Sequence, residues 1–192
     1  MTNSTPGYRK PPEEIDMEEA EHSIQRSSTI SSLLAIAGFV AGYYGLPLVI
    51  ELPVELADRL AFAAIASLFI AVWVLAAVMM VSTTRRFSPE DIGGSAAGPP
   101  SDKLAIKKAF LQNTLEQTVI TVVFFFALAA VAAGPWIALI VVTVAFFAVG
   151  RLLFYRGYAE GVTGRAFGMT LTMIPTFFGY LVVIGLLIAR LF

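Results

Sequence analysis

Residues 117–150 read QTVITVVFFFALAAVAAGPWIALIVVTVAFFAVG and contain no charged side chain. About 20 apolar residues, at about 1.5 Å each, span the roughly 30 Å hydrocarbon core of a bilayer, so this stretch is too long for one upright crossing. Gly134-Pro135, near its middle, is a turn signal. The stretch therefore predicts two membrane helices, at about 106–133 and 135–156, joined by a tight turn.

Further charge-free stretches lie on both sides, at residues 27–50, 60–84 and 166–189. They predict helices at about 30–50, 60–82 and 165–190. The stretches lack the period-two alternation of transmembrane strands. We therefore predict an all-α integral membrane bundle of five helices. Helix 30–50 contains three glycines and Pro47, so a re-entrant or interfacial segment remains an alternative there.

The composition excludes several other classes of protein. The chain is 57% hydrophobic and 14% charged, whereas soluble domains average about 45–50% apolar and about 25% charged residues. The chain has no cysteine and a single histidine, His22, so we expect no disulfide and no metal site. A net charge of −1 gives no reason to expect a nucleic-acid partner.

The charged residues divide the chain into regions. Residues 1–29 are predicted to be a polar, acidic tail, and residues 30–58 an additional N-terminal membrane helix with a short loop. Residues 59–192 are predicted to be a four-helix membrane domain. Within it, residues 83–105 are rich in Gly, Pro and Ser, which predicts a mobile loop.

The cationic residues predict how the chain is oriented. With five crossings, 11 cationic residues fall on one side of the membrane and only Arg59 and Arg190 on the other. Cytoplasmic segments carry an excess of Lys and Arg. We therefore expect a cytoplasmic N-terminus and a C-terminus outside. The 11 residues are Arg9, Lys10, Arg26, Arg85, Arg86, Lys103, Lys107, Lys108, Arg151, Arg156 and Arg165.

Polar residues inside the third and fourth helices indicate a site. Gln112, Asn113, Glu116 and Gln117 have helical spacing near the cytoplasmic end of the third helix. Arg151, Tyr155 and Tyr158 share a face of the fourth helix. Glu116 and Arg151 lie at similar depth, and charges at that depth are costly unless paired.

These positions support two interpretations, which are compatible with each other. In one, Glu116 and Arg151 form a buried ion pair that only orders the bundle. In the other, the polar residues form a cytoplasm-facing pocket for an anionic or zwitterionic small molecule. The pocket residues would be Asn113, Glu116, Arg151, Tyr155, Tyr158 and Arg165.

A family resemblance appears at the same residues. The segments Asn113-Thr-Leu-Glu116, Gly150-Arg151-Leu-Leu-Phe-Tyr-Arg-Gly-Tyr158 and Gly164-Arg165-Ala-Phe-Gly168 occur in an order that resembles the MAPEG family, membrane-associated proteins in eicosanoid and glutathione metabolism. The resemblance covers about residues 60–190. It implies a four-helix core assembled as a homotrimer, with glutathione bound between protomers, and helix 30–50 as an addition. It favours the cytoplasmic (inner) membrane of a bacterium as the location.

The resemblance also implies roles for individual residues. Asn113, Glu116 and Tyr158 match positions that contact glutathione, and Arg165 matches an arginine close to the reacting thiol, which makes it the candidate catalytic residue. Arg151 matches an arginine of the third core helix. Arg85 or Arg86 would supply an arginine at the end of the first core helix.

Four positions depart from the enzymatic members of the family. The arginine, histidine, serine and tyrosine commonly found there are replaced in this chain by Gln112, Phe154, Ala166 and Met169. Groups that activate a thiolate are therefore fewer. Two functions remain open: a glutathione-dependent transferase or peroxidase that acts on a small hydrophobic substrate, and a non-enzymatic trimer that binds a lipid or a protein partner.

Overall fold

The computed structural model describes residues 16–94, 96 and 98–191, apart from the side chain of Ala159. These residues form no strand, and the predicted all-α bundle is confirmed. Short 3₁₀ segments follow α1 and flank α4. Each α-helix belongs to a segment long and apolar enough to cross a membrane. The helices are α1 (Met17–Gly45), α2 (Leu56–Arg86), α3 (Asp102–Val131), α4 (Ala138–Arg156) and α5 (Gly161–Ala189).

Helix α1 begins well before residue 30, where we expected it to start. Asp16 caps its N-terminus, with Oδ1 accepting hydrogen bonds from the backbone N–H groups of Glu18 and Glu19 at 3.0 Å. Carboxylates in a first turn are stabilising beside the positive end of the helix dipole. The predicted tail is therefore partly helical, and its residues 1–15 lie outside the described part. Helix α1 has 29 residues, about 43 Å of length, which favours a crossing over a re-entrant segment.

The predicted break at Gly134-Pro135 is confirmed. Helix α3 ends at Val131, and a 3₁₀ segment, Gly134–Ile137, leads into α4. Gly134 has φ +60°, a conformation that glycine adopts without steric cost. Two arginines, Arg59 near the start of α2 and Arg190 just after α5, cap the carbonyl end of α3. Arg59 Nη1 donates to the Ala132 carbonyl at 2.7 Å, and Arg190 donates to the Val131 carbonyl.

The helices pack as two antiparallel pairs, α2 with α3 and α4 with α5, and α1 lies against α5 and α4. Phenylalanine and aliphatic side chains fill the centre, with Phe124, Phe125 and Phe147 fully buried. The α2–α3 and α4–α5 connections lie at one end of the bundle. We call this end the basic face, because most of the cationic side chains are there.

The α2–α3 connection is shorter than residues 83–105, the segment that we predicted to be a mobile loop. The two helices extend to Arg86 and from Asp102. Between them, buried Asp91 accepts hydrogen bonds from the Ser101 N–H at 2.9 Å and the Ser101 hydroxyl at 2.6 Å. These bonds hold the pKa of the Asp91 carboxyl below its ordinary value.

Candidate functional site

Arg151 lies at the centre of the candidate site and has no exposed surface. Its Nη1 donates to Asn113 Oδ1 of α3 at 2.7 Å, and its Nε donates to Thr172 Oγ1 of α5 at 3.1 Å. The guanidinium carbon is 4.8 Å from the ring centroid of Phe154. Its remaining nitrogen, Nη2, is buried and has no hydrogen-bond partner among the described residues. Arg151 therefore joins three helices, and its Nη2 is left without a hydrogen bond to the described residues.

Close packing of α4 and α5 brings Arg151 to Thr172. A Cβ atom at Gly150 would lie 2.2 Å from Thr172 Oγ1, and one at Gly168 would lie 2.1 Å from the Phe154 nitrogen. Only glycine fits such an approach. Thr172 is oriented in turn, because its hydroxyl donates to the Gly168 carbonyl at 2.9 Å.

The expected ion pair between Glu116 and Arg151 is not formed, and that prediction was wrong. Glu116 is exposed and accepts a hydrogen bond from Gln112 Nε2 at 2.9 Å. The polar positions of α3 divide into two rows with a spacing of four residues. Asn113 and Gln117 turn inward, while Gln112 and Glu116 turn outward. The rows are about 100° apart around the helix, so Arg151 meets the amide of Asn113 instead of the carboxylate.

The tyrosines of the predicted pocket point in different directions. Helix α4 ends at Arg156, and a 3₁₀ segment, Gly157–Glu160, follows. Tyr158 is therefore 93% buried, with its ring 5.3 Å from that of Phe154, whereas Tyr155 is 38% exposed beside Phe110. The guanidinium of half-buried Arg165 lies 4.8 Å from the Tyr158 ring centroid. This cation–π contact links the start of α5 to the site.

Arg85 and Arg86 lie at the end of α2. Arg85 lines a small depression in the α2–α3 connection together with Glu90, Asp91 and Lys108. The guanidinium of Arg86 lies 5.6 Å from the ring centroid of exposed Phe87. Their roles in a site remain predictions.

The outward row of α3, Gln112 and Glu116, is polar. In a single chain these two side chains would face lipid. Counting 20 residues back from Val131 places the hydrocarbon boundary near Gln112, and Glu116 then lies about 6 Å inside it. A carboxylate at that depth is costly in lipid. The outward row therefore needs a polar neighbour or another protein surface over it.

The site lies inside the part of the chain that a known family matches. The sequence model of the MAPEG family matches residues 60–185, which include α3, α4 and all but the last residues of α5. This chain belongs to the MAPEG family. No curated protein and no solved structure matches it. Helix α1 precedes the matched region, as expected for an addition to the MAPEG core.

Sequence reasoning did not predict Thr172 as a partner of Arg151. Thr172 is one of three threonines in α5 that bond across helices, together with Thr170, which contacts Ser31 of α1, and Thr176, which contacts Thr121 of α3. The sequence contained one relevant pattern: Gly150 and Phe154 are four residues apart on α4, and Gly168 and Thr172 are four residues apart on α5. It identifies a close helix contact but does not say which side chain lies opposite it.

Proposed function

We propose that this MAPEG protein is a glutathione-dependent transferase or peroxidase that acts on lipophilic substrates. The observation that carries the proposal is Arg151. It is a buried cation whose Nη2 has no partner in the described part of the chain, it is bonded to Asn113, and it lies within the family core. An anionic ligand that arrives from the polar surface of α3 and displaces the side chains over Nη2 would satisfy this donor.

The chemistry of glutathione matches the residues around Arg151. Glutathione offers two carboxylates, a free amine and two peptide groups. Exposed Glu116 suits the amine, and the amide of Asn113 suits a peptide group. Arg151 and Arg165 suit the carboxylates, and the hydroxyls of Tyr155 and Tyr158 supply further hydrogen-bond partners.

The proposed reaction requires the thiolate of glutathione. A cation near the sulfur lowers the pKa of the thiol, and the proton leaves to water. The thiolate then forms a carbon–sulfur bond with an electrophilic substrate and displaces its leaving group. Arg165 is the proposed catalytic cation, because it is only half-buried and already lies beside Tyr158. A hydrophobic substrate would reach this position from the surrounding lipid.

We further propose that the site is completed by other copies of the chain in a homotrimer. The outward row of Gln112 and Glu116 supports this, since a carboxylate inside the membrane boundary is stabilised when a neighbouring chain supplies a cation or hydrogen-bond donors to it. Assembly would place ligands between protomers at the basic face. An inner-membrane location with this face in the cytoplasm completes the proposal.

A second candidate is a trimer without catalysis that binds a lipid or a protein partner. Phe154, Ala166 and Met169 favour it, because none of these side chains donates a hydrogen bond to a thiolate. Phe154 is buried against Phe110, Tyr158 and the Arg151 guanidinium, so the position of the missing histidine is filled by packing.

Turnover and binding, measured in parallel on the purified protein, separate the two candidates. The assay combines glutathione with an electrophilic aromatic chloride and follows the chromophoric product. We expect turnover in the parent, a loss of about tenfold or more in Arg165→Ala, and no change in the control Lys103→Ala, an exposed cation elsewhere on the basic face. Glutathione binding without turnover would favour the second candidate. No binding would contradict both the enzyme and its site.

A further inference from the structure

A long apolar groove runs along the outside of the bundle between α1 and α4. Its volume is about 690 Å³, and its lining is almost entirely apolar. Ala41 of α1 and Ala145 of α4 form its walls, and Phe167 and Leu171 of α5 lie at its base. The groove exists because α1 approaches α4 through glycines. A Cβ at Gly38 would lie 2.6 Å from the Phe146 ring, and one at Gly42 would lie 2.6 Å from Val142.

The groove is separate from the polar site. Leu153 lines the groove and Arg151 does not, and these residues are about 200° apart around α4. Phe167 and Arg165 are related in the same way on α5. The wall formed by α1 also lies outside the matched MAPEG region, which begins at residue 60. The groove is therefore a feature of this chain's additional helix.

The groove runs along most of α4 and continues past the end of α1, where Leu46 and Val49 line it. On α4 the lining extends from Leu153 to Val141, and these 12 steps cover about 18 Å. Half of the hydrocarbon core is roughly 15 Å. A chain of methylenes that starts at the basic face would therefore fill the part of the groove nearer that face, as far as the middle of the membrane, and the groove continues beyond it.

Two exposed arginines lie beyond the end of the groove, toward the basic face: Arg156 is three residues after Leu153, and Arg26 is eight residues before Leu34. Gly38 faces Phe146 and Gly42 faces Val142, so the two helices run antiparallel in a fixed register. Continuing this register places Arg156 beside Ser28, within about 3 Å of the level of Arg26. Arg156 also lies on the same face of α4 as Val149, a lining residue seven positions earlier. Both arginines are exposed.

We propose that this groove binds one acyl chain of an anionic phospholipid, whose phosphate lies between Arg26 and Arg156. The apolar lining matches the chain, the groove is long enough to hold it from the basic face to the middle of the membrane, and the two cations match the charge of the head group. This site is independent of the proposed glutathione chemistry, and a bound lipid would fasten α1 to the family core.

Native mass spectrometry of the detergent-purified chain tests the proposal, with phosphatidylglycerol and phosphatidylcholine titrated in separate arms. We expect one phosphatidylglycerol retained per chain, and weaker retention of phosphatidylcholine. Ala41→Phe fills the groove and should weaken retention about tenfold. The matched control Ala37→Phe, exposed one turn earlier on α1 but not in the lining, should retain lipid like the parent. Arg26→Gln with Arg156→Gln should abolish the preference for phosphatidylglycerol.

The same titration can overturn the proposal. Equal retention by Ala41→Phe and Ala37→Phe would place the lipid elsewhere, and equal affinity for the two lipids would remove the role of the arginines. If Ala41→Phe changes the oligomeric mass and leaves lipid retention intact, a second copy of the chain occupies the groove and the proposal fails. Ala145→Phe, on the opposite wall, repeats the test if Ala41→Phe does not fold.

Discussion

Arg151 carries a positive charge in a place without solvent, and two neutral oxygens are its hydrogen-bond acceptors. Asn113 and Thr172 each accept one of its N–H groups, and the faces of Phe147 and Phe154 lie beside the guanidinium. Such a charge is stable only while its partners remain in place. The stability of the three-helix junction should therefore depend on these few atoms.

We predict that Asn113→Ala destabilises the protein by about 2 kcal/mol, because it leaves a buried charged donor without its acceptor. The double variant Asn113→Leu with Arg151→Met removes both polar groups at similar volume and should recover most of the loss. Thermal unfolding in detergent measures both. An Asn113→Ala protein that melts with the parent would mean that Arg151 does not depend on this bond.

The sequence alone did not predict that Arg151 bonds to Asn113 instead of Glu116. Charge and depth favoured the carboxylate, and both positions lie within one turn of α3. The orientation of α3 about its axis decided between them, and that orientation is set by the packing of Phe110, Thr114 and Thr121, which are buried. The residue types and their approximate depth were predictable, whereas their partners depended on a rotation that no local pattern encodes.

At the scale of elements, the contact between α4 and α5 is the closest in the site. Gly150 and Gly168 face the opposite helix at distances that leave no room for a methyl group. Adding one must separate the helices or move Thr172 and Arg151. The glycines of this pair therefore determine the geometry of the candidate site without touching a ligand.

We predict that Gly168→Ala destabilises the protein by about 1–3 kcal/mol, because its Cβ meets the backbone of Phe154. Gly185→Ala is the matched control in the same helix. Nothing lies within 4 Å of a Cβ there, so it should be neutral or slightly stabilising. Chemical or thermal unfolding of both proteins checks this. Equal stabilities would show that α4 and α5 are not in close contact.

The connection between α2 and α3 should respond to acid through Asp91. Its pKa is lowered by the bonds from Ser101, so the ionised carboxylate stabilises the connection at all pH values above about 4, the ordinary range for aspartate. That contribution is lost as the pH falls further, through the lowered pKa of Asp91. We predict that hydrogen-exchange protection of the Ser101 amide falls in this acidic range.

Asp91→Asn is the control for that measurement. It cannot ionise, so its Ser101 protection should be lower at neutral pH and should show no additional loss on acidification. The parent's protection should be corrected for the intrinsic exchange rate. If the corrected protection does not fall in acid, the charge of Asp91 does not stabilise this connection.

The elements themselves were largely predictable. Charge-free stretches located all five helices, since the cost of charges in hydrocarbon excludes them over about 20 residues. The predicted ends of the helices were less accurate, because a helix can continue beyond the hydrocarbon core into water, where charged residues carry no such cost. Helix α1 shows this, extending back to Met17 through three glutamates and a histidine. Its Asp16 cap was a readable signal.

At the scale of the whole molecule, the cationic residues predict orientation. Five crossings with most Lys and Arg at the basic face predict that this face is cytoplasmic. We therefore predict that a reporter that works only outside the cytoplasm is active when fused after Phe192. A reporter that works only in the cytoplasm should be active when inserted near residue 96. The opposite pattern would reverse the orientation and place the candidate site outside.

Native mass spectrometry of the purified protein in mild detergent, with glutathione in solution, tests the proposed trimer and its glutathione site together. We expect an assembly of three times the 20.7 kDa chain mass that retains glutathione. Retention should be lost in Glu116→Ala, which removes the proposed partner of the glutathione amine while Arg151 keeps its bonds. A monomer that holds no glutathione would contradict both the assembly and the site.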